Sequence, residues 1–182
     1  MKGSFELRVA GSGGQGVVLM SIILAEAGLR ESKNVVQSQS YGPEARGGMC
    51  KADVVISGGG IDYPKVEYAD CLLALTQESL DKYAGIVKKG GVIVTDSGMD
   101  ATAHGEGRKI VSAAILQTAM EKTGNEMTAN IVALGVLNAT VNVVKQDSLK
   151  AAVLKYVPKG TEELNLLALN EGRILIETLK DT

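Results

Sequence analysis

The sequence predicts an α/β protein: a doubly wound, mostly parallel sheet with helices on both faces, Rossmann-like and three-layered. Three observations carry that prediction. Short apolar runs of strand length alternate with longer helical segments, the pattern of strands joined by crossover helices. The apolar residues are mostly aliphatic, with five Tyr, one Phe and no Trp among 182 residues, which suits strands buried on both faces. An apolar run at 7–10 also leads straight into Gly11-Ser12-Gly13-Gly14-Gln15-Gly16 and a helical segment, the opening unit of such sheets. With 45% hydrophobic and 22% charged residues, residues 1–182 are expected to form one folded domain.

The elements follow in order. Residues 7–10 are the first strand, and 17–29 a helix that is apolar on nearly every side, with Gly28 near its end. A short second strand is expected at 35–37, then a loop over 39–50 whose Gly42, Pro43, Gly47 and Gly48 oppose regular structure. The third strand, 52–56, stops at Ser57-Gly58-Gly59-Gly60, and 65–69 reads as one helical turn after Pro64. Residues 71–75 are a buried strand. Thr76 is placed as the N-cap of the next helix, with Glu78 in its first turn and Lys88-Lys89-Gly90 at its end. A strand at 92–95, an irregular stretch at 97–108 and a strand at 109–111 come next. Helices are expected at 113–122, at 128–144 with Gly135 allowing close packing, and at 148–156 before Pro158. Thr161 caps a last amphipathic helix, 162–180.

Composition excludes several function classes. Nineteen Lys and Arg against 21 Asp and Glu offer no excess of positive charge for nucleic-acid binding. One His and two Cys cannot build an iron–sulfur cluster or a structural zinc site within this chain. The longest apolar stretches, 17–25 and 131–144, are interrupted by Ser21, Asn138 and Asn142 and fall short of the ~18–20 residues a membrane helix needs. Two unpaired thiols fit a reducing compartment. A soluble, cytoplasmic chain without nucleic-acid or membrane partners is expected.

Two glycine-rich segments stand out chemically. Gly11, Gly13 and Gly16 satisfy GxGxxG between a strand and a helix, where backbone amides at a helix N-terminus can approach an anion. A dinucleotide would also need an acidic residue at the end of the second strand, and Gln37 or Gln39 stands there. A tight strand–helix turn, or a loop shaped for an anionic ligand or a partner protein, remain as readings; there is no Walker lysine. The second segment is Ser40-Tyr41-Gly42-Pro43-Glu44-Ala45-Arg46-Gly47-Gly48. It follows the second strand, so it is expected at the same carboxyl edge of the sheet as the first. Tyr41 is an amphipathic contact residue and Arg46 a bidentate donor to carboxylate or phosphate. Equally, Glu44 and Arg46 could be solvated charges on a glycine-shaped turn.

Other candidates read plainly. His104 is expected as a surface residue in a loop, Asp96 as the cap of the turn after its strand, and Lys88-Lys89 as complements of a helix end. Cys50 and Cys71 are expected as buried small apolar residues, and Met120 and Met127 as core filling. Asp53 carries no reading from sequence.

Taken together, Gly11-Ser12-Gly13-Gly14-Gln15-Gly16-Val17 and the 40–48 segment resemble the signature of gamma subunits of 2-oxoacid:ferredoxin oxidoreductases. The similarity continues through Ser57, Ala69-Asp70 and Asn130-Ile131-Val132-Ala133-Leu134-Gly135, and so covers nearly the whole chain. The resemblance implies a subunit of an enzyme that oxidatively decarboxylates a 2-oxoacid, forms an acyl-CoA from coenzyme A and passes electrons to ferredoxin. It implies thiamine diphosphate with Mg and iron–sulfur clusters on alpha, beta and delta partner subunits, with CoA as substrate, and no catalytic residue or cofactor in this chain. Ile61-Asp62-Tyr63-Pro64-Lys65 is most similar to the 2-oxoglutarate type. The site residues implied for cofactor or partner contact are Gly11, Gly13, Gly14, Gln15, Gly16, Ser40, Tyr41, Gly42, Pro43, Glu44, Arg46, Gly47 and Gly48. A free-standing nucleotide- or CoA-binding domain is the alternative, and homodimerisation of the isolated chain is compatible with either.

Overall fold

A computed structural model describes residues 3–41 and 48–180. Six strands form one sheet: β1 (Ser4–Ser12), β2 (Asn34–Tyr41), β3 (Met49–Ser57), β4 (Ala69–Ala74), β5 (Val87–Asp96) and β6 (Lys109–Ala113). Their order across the sheet is β2-β3-β1-β4-β5-β6. β4 pairs parallel with β1, β5 with β4 and β6 with β5, whereas β3 runs antiparallel to both β1 and β2. The sheet is therefore mostly parallel, as the sequence predicts, with β3 as an inserted reversal. That reversal is a correction. β2 reaches Tyr41 and β3 begins at Met49, so Gln39, Ser40, Tyr41, Met49 and Cys50 belong to a hairpin rather than to a loop over 39–50.

Helices cover the two faces unequally. α1 (Val17–Arg30), α3 (Ile115–Thr123), α4 (Ala129–Val141), α5 (Gln146–Tyr156) and α6 (Glu162–Lys180) share one face, where Leu7, Val9, Cys71, Leu73 and Val94 meet Ile23, Ile115 and Leu134. The opposite face carries α2 (Gln77–Tyr83), with Leu80 on Ala10, Leu72 and Ala74. α4 is apolar all round because it is buried all round, from Ile131 to Asn138. It crosses α6 where Gly135 and Gly172 let the two backbones touch, the close packing expected of Gly135. Helix α6 matches its predicted bounds. Thr161 O accepts its first helical bond, from Asn165, while the Thr161 hydroxyl donates to Pro158 O.

α2 opens as predicted. Thr76 Oγ1 accepts from Ser79 N, Ser79 Oγ accepts from Thr76 N, and Glu78 sits in the first turn. Its end differs from expectation. The helix stops at Tyr83 and gives way to a 3-10 turn, Ala84–Ile86, because Gly85 and the β-branched pair Ile86-Val87 favour leaving the helix. Lys88, Lys89 and Gly90 thus lie in β5, and Lys88 complements no helix end: its Nζ is 2.8 Å from Asp70 and 3.8 Å from Glu6. Residues 65–68 form no helical turn; β4 already starts at Ala69. No helix among the described residues is long and apolar enough to cross a membrane.

Candidate functional site

Because β1 and β2 both run opposite to β3, their carboxyl ends lie at one edge of the sheet. The turn after β1 and the segment after β2 therefore start at the same edge, with β3 between them. They are joined directly: Gly13 N donates to Gly48 O at 2.9 Å, next to the Ser12–Met49 pairing. Gly11 and Ser12 are the last residues of β1, and Gly13 to Gly16 make the turn into α1. Gly14 and Gly16 have φ of 96° and 73°, in the left-handed region that favours glycine. A Cβ on Gly16 would also run into the side chain of Asn130 at the start of α4. Gly16 is the N-cap of α1 and supplies no side-chain cap for its first-turn amides.

Gln15 is half-buried, and its side-chain amide is engaged within the chain. Its Oε1 accepts from Ser12 N at 2.7 Å and its Nε2 donates to Leu75 O at 3.3 Å, tying the ends of β1 and β4 together. This is where α1 and α2 leave for opposite faces of the sheet, the switch point at which open α/β sheets form a crevice. Ser40 is exposed near the end of β2, paired with Lys51, and Tyr41 ends the strand opposite Cys50. Gly42, Pro43, Glu44, Ala45, Arg46 and Gly47 lie outside the described residues.

A cavity of about 480 Å³ opens beside the glycine turn. Leu19, Leu75 and Ile115 give it apolar walls, while Asp96, Glu126 and Asn130 are its polar lining outside the turn itself. Asp96 caps the local backbone as expected: Oδ1 accepts from Gly98 N and Oδ2 from Leu116 N, each at 2.9 Å. Asn130, Glu126 and Met127 are placed at the site by the structure alone. Asn130 lay inside the family-like segment, but nothing in its spacing marked it as the wall behind Gly16.

The remaining candidates lie elsewhere. His104 sits in a 3-10 turn, Thr102–His104, with Nε2 2.9 Å from Asp81 Oδ1 on the α2 face. Hydrogen bonds from His104 and then Gln77 hold the Asp81 carboxyl below its usual range. Asp53, mute in sequence, is buried in an ion pair with Arg8. Among the described residues no group of three His, Cys, Asp or Glu could hold a metal ion. Cys50 and Cys71 are buried, and burial raises both thiols above the ordinary range. Neither should react with a disulfide reagent at mildly alkaline pH in the native chain, and both should react after unfolding in urea. Rapid labelling of the native protein would contradict this packing.

Comparison with known proteins agrees with this arrangement. The family model for pyruvate ferredoxin/flavodoxin oxidoreductase matches residues 6–174. The 2-oxoglutarate synthase subunit KorC of Methanocaldococcus jannaschii is 45% identical over 92% of this chain and 91% of its own length. The subunit of the same name from Methanothermobacter thermautotrophicus is 42% identical, over 94% of each chain. A solved structure, the gamma subunit of a keto/oxoacid ferredoxin oxidoreductase from Geobacter sulfurreducens, superposes with a TM-score of 0.88 at 41% identity, covering 97% of this chain and 98% of that one. The chain belongs to the pyruvate ferredoxin/flavodoxin oxidoreductase family, as the gamma subunit of a multisubunit 2-oxoacid:ferredoxin oxidoreductase whose other subunits are its partners.

Proposed function

We propose that this chain, folded as one domain over residues 1–182, is the gamma subunit of a cytoplasmic 2-oxoglutarate synthase and that its two glycine-rich segments form one partner-facing surface. The substrate reading rests on the relatives of 42–45% identity that carry that name. The reaction joins 2-oxoglutarate and CoA to give succinyl-CoA and CO2, with two electrons leaving to ferredoxin. Thiamine diphosphate, Mg and the iron–sulfur clusters belong to alpha, beta and delta subunits on this reading, and thiamine supplies the carbanion chemistry of decarboxylation. This chain contributes no catalytic residue. Its part is to present Gly11–Gly16 and Ser40–Gly48 to those subunits, with Arg46 offering positive charge to the CoA or oxoacid anion or to a partner carboxylate.

The observation that supports this reading is the Gly13–Gly48 hydrogen bond, which ties the glycine turn after β1 to the residue leading into β3, at the sheet edge where β2 also ends. A free-standing nucleotide-binding domain is disfavoured by the same geometry. Gly13 N is already taken, and among the described residues the adjoining cavity is lined by two carboxylates and no basic side chain, which repels a pyrophosphate. Calorimetric titration of the isolated chain with CoA or NAD should show no saturable micromolar binding, whether that chain is a monomer or a homodimer.

Arg46→Ala in the assembled enzyme is the direct test. The variant should lower kcat/KM for 2-oxoglutarate or CoA roughly tenfold or more, or weaken assembly to the same degree, as loss of a charge-assisted contact does. Normal assembly with unchanged kinetics for both substrates would remove the proposed role of this surface.

A further inference from the structure

Met120 and Met127, expected from their spacing to fill the core, are 53% and 74% exposed. Leu116, one helical turn before Met120, is 40% exposed. Leu116 and Met127 stand at the cavity beside the glycine turn, whose inner wall is Leu19, Leu75 and Ile115. A smaller cavity of about 230 Å³ shares Leu19, Met127 and Asn130 and continues the cleft toward Pro158 and Leu164. The cleft is thus apolar within, with flexible thioether and aliphatic side chains at its mouth.

Its charge is one-sided. Asp96 is buried and engaged by two backbone amides, whereas Glu126 is exposed on the rim. Among the described residues, neither carboxylate is in an ion pair, and no Lys, Arg or His lines the larger cavity. A phosphate or carboxylate would meet like charge there. A long aliphatic stem with a cationic head would bury its methylenes against the inner wall and set its charge beside Glu126.

We propose that this cleft is the socket for a Lys or Arg side chain of a partner subunit, its stem between Leu116 and Met127 and its head group at Glu126. The proposal rests on the reading that this edge of the sheet faces the other subunits, and it names the chemistry of the anchor. Burial of the stem in the apolar cleft supplies the contact area of such an anchor, the rim charge steers association and sets its salt dependence, and Met side chains adapt to such an occupant.

The test uses the chain bound to the remaining subunits of its enzyme, with the dissociation constant measured at low and high salt for Glu126→Lys, Glu126→Gln, Met127→Ala and Arg46→Ala. The first three change exposed side chains, and unchanged thermal midpoints will show that they fold. Glu126→Lys should weaken association roughly tenfold or more at low salt. Glu126→Gln should flatten the salt dependence, and Met127→Ala should weaken association about threefold or more at both salts. Wild-type association by the Glu126 and Met127 variants would overturn the socket. If Arg46→Ala still alters assembly or kinetics in that case, the partner-facing surface stands without it. A raised KM for CoA in Glu126→Lys or Met127→Ala, with association intact, would also overturn it by showing that the cleft receives CoA.

Discussion

Replacing Asp53 by Ala should destabilise the chain by about 3–5 kcal/mol, because it leaves a guanidinium buried without its counter-charge. Arg8 Nε donates to Asp53 Oδ1 at 2.6 Å and Nη2 to Oδ2 at 2.7 Å, a bidentate pair linking the neighbouring strands β1 and β3. Nη2 also donates to Val66 O at 3.0 Å, and the Tyr83 ring centroid lies 5.0 Å from the guanidinium carbon. Both residues are under one-tenth exposed. Lys51 Nζ, 3.8 Å from Asp53 and 5.9 Å from the same ring, adds a second positive charge that would lose its partner. The double replacement Arg8→Met with Asp53→Leu should return most of the loss, since apolar side chains of similar volume need no counter-ion. Urea unfolding with unchanged m-values reads both effects. A loss below about 1 kcal/mol for Asp53→Ala would mean that water reaches the pair and screens it.

Gly172→Ala should be the second large loss, about 2 kcal/mol, although Ala in an open helix interior would gain about 1 kcal/mol over Gly. A Cβ on Gly172 would overlap the Val132 carbonyl of α4, and one on Gly135 the Leu169 carbonyl of α6. These obstacles are backbone atoms, which cannot turn aside as a side chain can, so the helices must separate. Separation opens the layer formed by Val132, Val136, Ala168 and Leu169 at the centre of the main core. Gly172→Val should cost more than Gly172→Ala. A thermal midpoint that rises in Gly172→Ala would show that propensity outweighs the clash and that the crossing is looser than described.

Much of this architecture is legible in the sequence, for identifiable reasons. The Thr76 cap, the turn into α1 and the amphipathic α6 are local signals, set by residues within a few positions of one another. The direction of β3 is not local. A hairpin with a seven-residue connection rich in Gly and Pro looks in sequence like any long loop, so Gln39, Ser40, Tyr41, Met49 and Cys50 carry no local sign of being strand. Lys88-Lys89-Gly90 imitates a helix C-terminus, yet Lys88 finds its partners in Asp70 on the adjacent β4 and Glu6 on β1 beyond it. The Arg8–Asp53 pair spans 45 positions and so leaves no trace in spacing. In the candidate site, the placing of the glycine turn at the sheet's carboxyl edge was legible from strand–turn–helix order. Its junction with Gly48, the engagement of the Gln15 amide within the chain and the exposure of Met127 depend on how distant elements meet.

Hydrogen exchange of this chain, alone and within its assembled enzyme, tests the shared partner surface most directly. Assembly should slow exchange in peptides covering residues 11–19 and 40–48, and leave residues 58–63, at the other end of β1, as they are in the isolated chain. Protection confined to 58–63, with the two glycine-rich segments exchanging equally fast in both states, would place the partners at the opposite edge and contradict the account.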